Sequence, residues 1–230
     1  MQAIILAGGL GTRLRPITNK IPKPMVKIAG KPFLEHLIGM LKKNGITQIV
    51  LCVGYLHLQI MDYFGNGKKF EVRIKYSIEK NPLGTGGAIK QAEKYLKDDF
   101  FVIYGDSYLG IDYRKLMLFH QKVNKTGTMV IYGNESDTFV KNNVEIDKDG
   151  CIINYDKENA NNDMKYVDAG VLVFKKSILK SMPSNKKISL EEDIFPKVIK
   201  SKGLCSFKSN NRFYDIGSMQ RLRAFKKAIP

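Results

Sequence analysis

Five apolar residues, Ala3 to Ala7, run without a break into Gly8-Gly9-Leu10-Gly11, and Thr12-Arg13-Leu14-Arg15-Pro16 follow at once. No other stretch narrows the choice of fold as far. A strand that feeds straight into glycines ends where the backbone turns sharply and opens its N–H groups to a ligand. Arg13, Arg15 and Lys23, the last set between Pro22 and Pro24, add positive charge beside that turn. Guanidinium and ammonium groups next to open N–H groups suit a polyphosphate. The residues therefore read as a nucleoside triphosphate site at the end of a strand. A plain strand-to-helix turn is the competing reading, but it has no need of three cations together.

Two other glycine-rich loops do not fit. The dinucleotide fingerprint G-x-G-x-x-G, counted from Gly9, would place its third glycine on Leu14, and the run G-x-x-x-x-G-K-[ST] of the P-loop does not occur.

The 230 residues suffice for one α/β domain with a full core, and the apolar (43%) and charged (26%) shares are those of a globular chain. Apolar stretches such as Phe100 to Tyr104 are too short to span a bilayer, and no leader pattern precedes the first strand. A soluble cytoplasmic protein without a membrane partner is expected. Cys52, Cys151 and Cys205 are odd in number and widely spaced, which suits buried reduced thiols and no zinc site. His36, His57 and His120 lack metal-ligand spacing and read as packing or helix-surface residues. The net charge of +16 raises the question of nucleic acid. Its lysines are scattered singly and in pairs, with no basic run interleaved with aromatics, so no nucleic-acid partner is expected.

Strand and helix patterns alternate in the first half: strands at Gln2–Ala7, Gln48–Val53, Glu71–Tyr76 and Phe100–Tyr104, helices at Phe33–Asn44, Leu56–Phe64, Gly84–Leu96 and Tyr113–Asn124. That alternation predicts a mainly parallel sheet wrapped by helices. The second half reads as strands at Met129–Tyr132, Val144–Asp147, Ile152–Tyr155 and Tyr166–Phe174, with helices at Leu190–Lys200 and Ser218–Ala228. Lys148-Asp149-Gly150 suits a hairpin turn, and Glu158–Asp163, rich in Asn, a flexible loop.

The glycine-rich stretch resembles the signature loop of the sugar-1-phosphate nucleotidyltransferases, G-G-x-G-T-R-L-x-P-x-T followed by P-K-P-[ML]. Gly8, Gly9, Gly11, Thr12, Arg13, Leu14, Pro16, Thr18, Pro22, Lys23, Pro24 and Met25 all match. The resemblance runs from Met1 to about Ala228. It implies a Rossmann-like, glycosyltransferase-A-type α/β fold, with a mainly parallel mixed sheet flanked by helices. It also implies a single nucleotidyltransferase domain spanning 1–230, whose half at about 1–125 binds the nucleotide and whose half at about 126–230 binds the sugar phosphate. The activity implied is transfer of a nucleoside monophosphate from an NTP to a sugar 1-phosphate, releasing pyrophosphate. No hexapeptide repeat follows, so an appended acetyltransferase is not expected. By analogy alone, the family's frequent dimers and tetramers allow a homo-oligomer.

Individual residues take expected roles from this match. Leu6, Ala7, Gly8, Gly9, Gly11 and Thr12 would line the nucleotide, with Arg13 and Lys23 on its β- and γ-phosphates. Glu79-Lys80-Asn81-Pro82-Leu83-Gly84-Thr85 resembles the family's base-cupping loop, so Glu79, Pro82, Gly84 and Thr85 are expected at the base, with Gly54 and Tyr55 bordering it. The helix that starts there can also offer N–H groups to a ligand.

Asp106 follows an apolar strand, where ligands of α/β sheets bind, and a carboxylate there can hold Mg²⁺. Asp215 in Asp215-Ile216-Gly217 resembles the family's second metal aspartate. Either residue alone could equally cap a turn. Ser107, Asp156, Lys157, Asp168 and Gly170 match segments that contact the sugar phosphate. Glu192 is open to two readings, the reach-back residue of a capping box begun by Ser189 or an acidic contact to the sugar.

Within the family, the short length, Tyr76 to Glu79, Pro82 to Gly87 and the Asp215 region look most like the guanylyltransferases of heptose 1-phosphate and their hexose relatives. That implies GTP and a role in surface polysaccharide synthesis. A cytidylyltransferase for a non-sugar phosphate such as phosphocholine, or a non-catalytic nucleotide-binding regulatory module, are the alternatives.

Overall fold

The structure, a computed structural model, describes residues 1–158 and 163–229. Most of the stretch expected to form a flexible loop, residues 159–162, lies outside the described residues. Seven strands form the main sheet: β1 (Gln2–Leu6), β2 (Gln48–Val53), β3 (Arg73–Ile78), β4 (Asp99–Tyr104), β5 (Gly127–Tyr132), β6 (Val167–Lys175) and β7 (Leu204–Ser209). Their order is β7-β5-β6-β4-β1-β2-β3. Strand β6 runs antiparallel to both its neighbours, and every other adjacent pair is parallel.

The period-2 placement of side chains explains the two-sided core. Ile5, Leu51, Ile103, Val130 and Val171 point to one face, where α1 (Phe33–Lys43), α2 (His57–Phe64), α4 (Tyr113–Val123) and α6 (Met219–Ala228) pack. Ile4, Val50, Val102, Met129 and Leu172 point to the other, covered by α3 (Gly84–Gln91) and α5 (Phe195–Lys200). Ile4 and Ile5 are both 0% exposed. Each such burial contributes about 1.5–3 kcal/mol, so helices on only one face would leave half of that unrealised. Helix α1 shows the local logic: Phe33, Leu34, Leu37, Ile38 and Leu41 recur at helical spacing and are buried, while Lys42 and Lys43 complement the negative end of the dipole.

Some elements end elsewhere than the sequence predicts. The third strand, expected from Glu71, starts at Arg73 because Glu71 closes a 3₁₀ turn at φ +56°. The helix expected over Gly84–Leu96 stops at Gln91 and tightens into a 3₁₀ turn at Glu93–Tyr95. The helix expected from Leu190 opens with a π turn, Leu190–Ile194, before α5. Pro196 has no N–H for an α-helical bond at that point, and the Phe195 N–H instead donates to the Leu190 carbonyl. Strand β7 was not expected; its Leu204-Cys205-Ser206-Phe207-Lys208-Ser209 lacks an apolar run because it is an edge strand.

Two small ladders position the site. Val144–Ile146 and Ile152–Tyr155 form the expected hairpin, whose turn is held by Asp147 accepting from the N–H groups of Asp149 (3.0 Å) and Cys151 (2.8 Å). Ser107–Tyr108 pairs antiparallel with Tyr214–Asp215, which sets Asp215 opposite Ser107 and beside Asp106.

Candidate active site

The carboxyl ends of β1 and β4 open onto a cavity of ≈ 360 Å³. Its walls include Leu6, Ala7, Gly8, Gly9, Gly11, Thr12, Arg13 and Lys23 from the glycine-rich segment, and Glu79, Pro82, Gly84 and Thr85 from the second loop. Gly8 passes so close to Glu79 that a Cβ there would lie 2.5 Å from Oε1. Gly11 takes φ +64°, and the Thr18 hydroxyl donates to its carbonyl at 2.8 Å, which fixes the turn. Gly54 and Tyr55 stand behind this loop and are not on the cavity wall: a Cβ on Gly54 would meet the Gly8 carbonyl at 3.1 Å, and the Tyr55 hydroxyl donates to the Asn19 carbonyl at 3.0 Å. Arg15 lines neither this cavity nor the next.

The start of α3 differs from expectation. The N–H groups of Gly86 and Gly87 donate to the Ile188 carbonyl, at 2.8 and 3.2 Å, so neither is offered to a ligand. Glu79 is steadied by the Leu83 N–H at 3.0 Å. Burial raises the Glu79 carboxyl above its ordinary value, and that hydrogen bond opposes the shift.

Asp106 lines this cavity, and Asp215 lies beside it, held there by its pairing with Ser107. Lys23 pairs with Asp106, and the Arg221 guanidinium pairs with Asp215 at 2.8 Å. The Gly217 N–H donates to Asp215 Oδ1 at 2.5 Å, and the Ile216 N–H to the Asp106 carbonyl at 3.0 Å. Burial alone would raise the Asp106 carboxyl, but Lys23, Arg13 and Lys157 outweigh it and hold it below the ordinary value. Asp215 is raised, by burial first and then by the charge of Asp106. Two carboxylates that repel each other at the edge of a phosphate-sized cavity are the donor set Mg²⁺ takes, the rest of its shell coming from phosphate and water. No third His, Cys, Asp or Glu joins them in a metal-sized cluster among the described residues.

A second cavity, ≈ 410 Å³, shares Arg13, Tyr104 and Asp106 with the first. Ser107, Lys157, Asp168 and Gly170 line it, as does Asp215. Gly170, at φ +74°, lets β6 approach the Ser107 side chain, and its N–H donates to Asp168 Oδ1 at 2.8 Å. Burial raises the Asp168 carboxyl, with Glu191 adding to the effect and Lys157 opposing it. Asp156 lies on the outer flank, in a separate shallow cavity with Lys157 and Glu192.

Glu191 and Glu192 both line that outer cavity, and it is Glu191 that bonds the residues forming the walls of the other two. Glu191 accepts from Tyr104 Oη (2.7 Å), Lys157 Nζ (2.9 Å), Thr85 Oγ1 (2.8 Å) and Ser189 Oγ (3.1 Å). Glu192 is exposed, and the residue that reaches back to the Ser189 N–H is Asp193, at 2.7 Å. The reach-back bond thus falls one residue later than a capping box has it, within the wider π turn Leu190–Ile194. Lys141, Asn143 and Phe213 complete the second cavity and were not expected. They come from irregular segments with no periodic signal.

These features match known proteins. The family pattern described as "Nucleotidyl transferase" covers residues 2–230, and the chain belongs to that family. Among its relatives, the D-glycero-alpha-D-manno-heptose 1-phosphate guanylyltransferase of Aneurinibacillus thermoaerophilus is 36% identical over 230 residues, covering 100% of this chain and 98% of that one. The enzyme of the same name from Campylobacter jejuni is 38% identical over 218 residues, covering 94% of this chain and 95% of that one. The crystal structure of HddC from Yersinia pseudotuberculosis complexed with GMP-PN superposes with a TM-score of 0.85 at 32% identity, covering 99% of this chain and 98% of that one.

Proposed function

We propose that this chain joins GMP from GTP to a heptose 1-phosphate, forming GDP-heptose and pyrophosphate for surface polysaccharide synthesis. The observation that carries this reading is the meeting of two cavities at one wall: Arg13, Tyr104 and Asp106 belong to both. Two phosphorylated substrates bound on either side would bring a sugar-phosphate oxygen to the α-phosphorus of the nucleotide. The oxygen–phosphorus bond forms as the Pα–O bond to pyrophosphate breaks. The attacking oxygen is already anionic, so no general base is required, and positioning and charge supply the rate.

Arg13 and Lys23 would hold the β- and γ-phosphates, and Lys157 the acceptor phosphate. Asp106 and Asp215 would hold Mg²⁺, which when bound neutralises charge on the reacting phosphates. The Glu79 carboxylate, an acceptor in the nucleotide cavity, complements the N–H donors on the edge of guanine. A phosphocholine acceptor is not favoured: the Tyr104 and Tyr155 rings are already covered by the Lys157 ammonium, at 5.3 and 5.8 Å from their centroids. In this reading the whole chain acts as one domain, in the cytoplasm.

The test is pyrophosphate release with each of GTP, UTP, CTP and dTTP against heptose and hexose 1-phosphates and phosphocholine, with Mg²⁺. GTP with a heptose 1-phosphate should give the highest kcat/KM, and Asp106→Asn should lower it by roughly 10²–10³-fold. Silence across the panel from folded protein, or full activity in Asp106→Asn, would overturn the reading.

A further inference from the structure

The three cysteines are far apart in sequence, yet the fold sets two of them face to face. Cys151, at the end of the hairpin turn, makes an isolated antiparallel bridge with Cys205 on the edge strand β7. The hydrogen bond beside them, from the Ser206 N–H to the Gly150 carbonyl at 2.8 Å, lies one residue outside the pair. A cross-strand pair flanked by its backbone hydrogen bonds is the closer of the two kinds, with Cα atoms about 4.5 Å apart. A disulfide needs roughly 4.4–6.8 Å. The Cys205 thiol donates to the carbonyl of Gly150, the residue before Cys151, at 3.6 Å, and the two cysteines are 8% and 5% exposed. Cys52 sits apart on β2, its thiol donating to the Ala88 carbonyl at 3.4 Å.

We propose that Cys151 and Cys205 are an oxidisable pair that closes a reversible intrachain disulfide when the protein meets a small-molecule disulfide. One cysteine thiolate attacks a sulfur of the small disulfide and releases one thiol. The other cysteine, as thiolate, attacks the mixed disulfide and releases the second. The protein loses two protons and two electrons, and the small disulfide is reduced to two thiols. The bond would staple the hairpin, whose far end leads into Asp156 and Lys157, to the outer strand of the sheet. The pair is already in register, so the hairpin need not shift. Burial raises the Cys205 thiol and slows the first attack, which makes this a slow staple and not a fast sensor.

The test incubates the native protein overnight with oxidised glutathione, blocks free thiols, and maps unreduced peptides by mass spectrometry. The expected result is a Cys151–Cys205 linked pair, an intact monomer lighter by two hydrogens, and a Tm higher by about 5–10 °C that dithiothreitol reverses. Cys52→Ser should behave like the parent, and Cys205→Ser should lose both the link and the Tm shift. The proposal is overturned if the folded parent protein gives glutathione adducts on single cysteines, links through Cys52 or between chains, or no linked peptide at all.

Discussion

Glu191→Gln removes one charge from the point where the acceptor side is held together. Glu191 accepts from Tyr104, Lys157, Thr85 and Ser189, and its carboxyl is pushed down to about 2 from an ordinary 4.5. Burial alone would raise it, so Lys157 and the hydroxyl donors more than compensate. At about 1.36 kcal/mol per unit, the depression corresponds to about 3 kcal/mol at neutral pH. The Lys157 side chain is 47% exposed, so water screens its share, and about 2 kcal/mol is the expected loss. A depressed acid stabilises above its unfolded pKa, and the contribution disappears as pH falls through its folded pKa. The parent and Glu191→Gln should therefore differ most at pH 7 in urea unfolding, with Tm lower in the variant by about 4–8 °C. The difference should shrink from about pH 4.5 towards about pH 2. A variant as stable as the parent at pH 7, or a gap as wide at about pH 3 as at pH 7, would refute the reasoning.

Lys157→Ala should raise KM for the sugar 1-phosphate by about ten-fold or more while leaving KM for GTP within about three-fold, because Lys157 lines the second cavity and not the first; initial-rate kinetics in both substrates checks it. Gly84→Ala should destabilise by about 2–4 kcal/mol, since Gly84 takes φ +71° and a Cβ would lie 2.5 Å from the Ile188 carbonyl oxygen; a urea-unfolding loss under about 1 kcal/mol would contradict this. Asp112→Ala removes the cap of α4, where the carboxylate accepts from the N–H groups of Arg114 and Lys115. The expected loss is about 1 kcal/mol, read as a Tm lower by about 2–4 °C.

The glycine-rich wall of the first cavity was legible in the sequence because it is contiguous. Strand β1 and the residues from Gly8 to Arg13 are neighbours in the chain, and their glycines and cations announce themselves. The sheet strands with long apolar runs, such as Phe101-Val102-Ile103, were legible for the same reason. The acceptor side was less so. Its walls come from β6, Lys157 just beyond the hairpin, the Lys141 to Asn143 segment and the stretch around Phe213, joined only by tertiary folding. Asp168 and Lys157 emerged through resemblance, while Lys141 and Asn143 carry no local signal at all. The network around Glu191 was not legible because its partners, Thr85, Tyr104 and Lys157, are brought together only by the tertiary fold. Gly54 and Tyr55 follow a strand end that the resemblance sets at the border of the base pocket, and neither signal tells the wall of a cavity from the support behind it.

Strand β6 is the reversed member of the sheet. Its register against β4 pairs Val171 with Ile103, which brings its amino end, with Asp168 and Gly170, to the rim where β1 and β4 finish. The first cavity thus hangs from strand finishes, while Asp168 and Gly170 reach the second from a strand beginning. The linings of the two cavities share only Arg13, Tyr104 and Asp106. On the reading proposed above, changes at the start of β6 would reshape the acceptor pocket and leave the glycine-rich wall of the other untouched, so the two halves of the reaction can be altered independently.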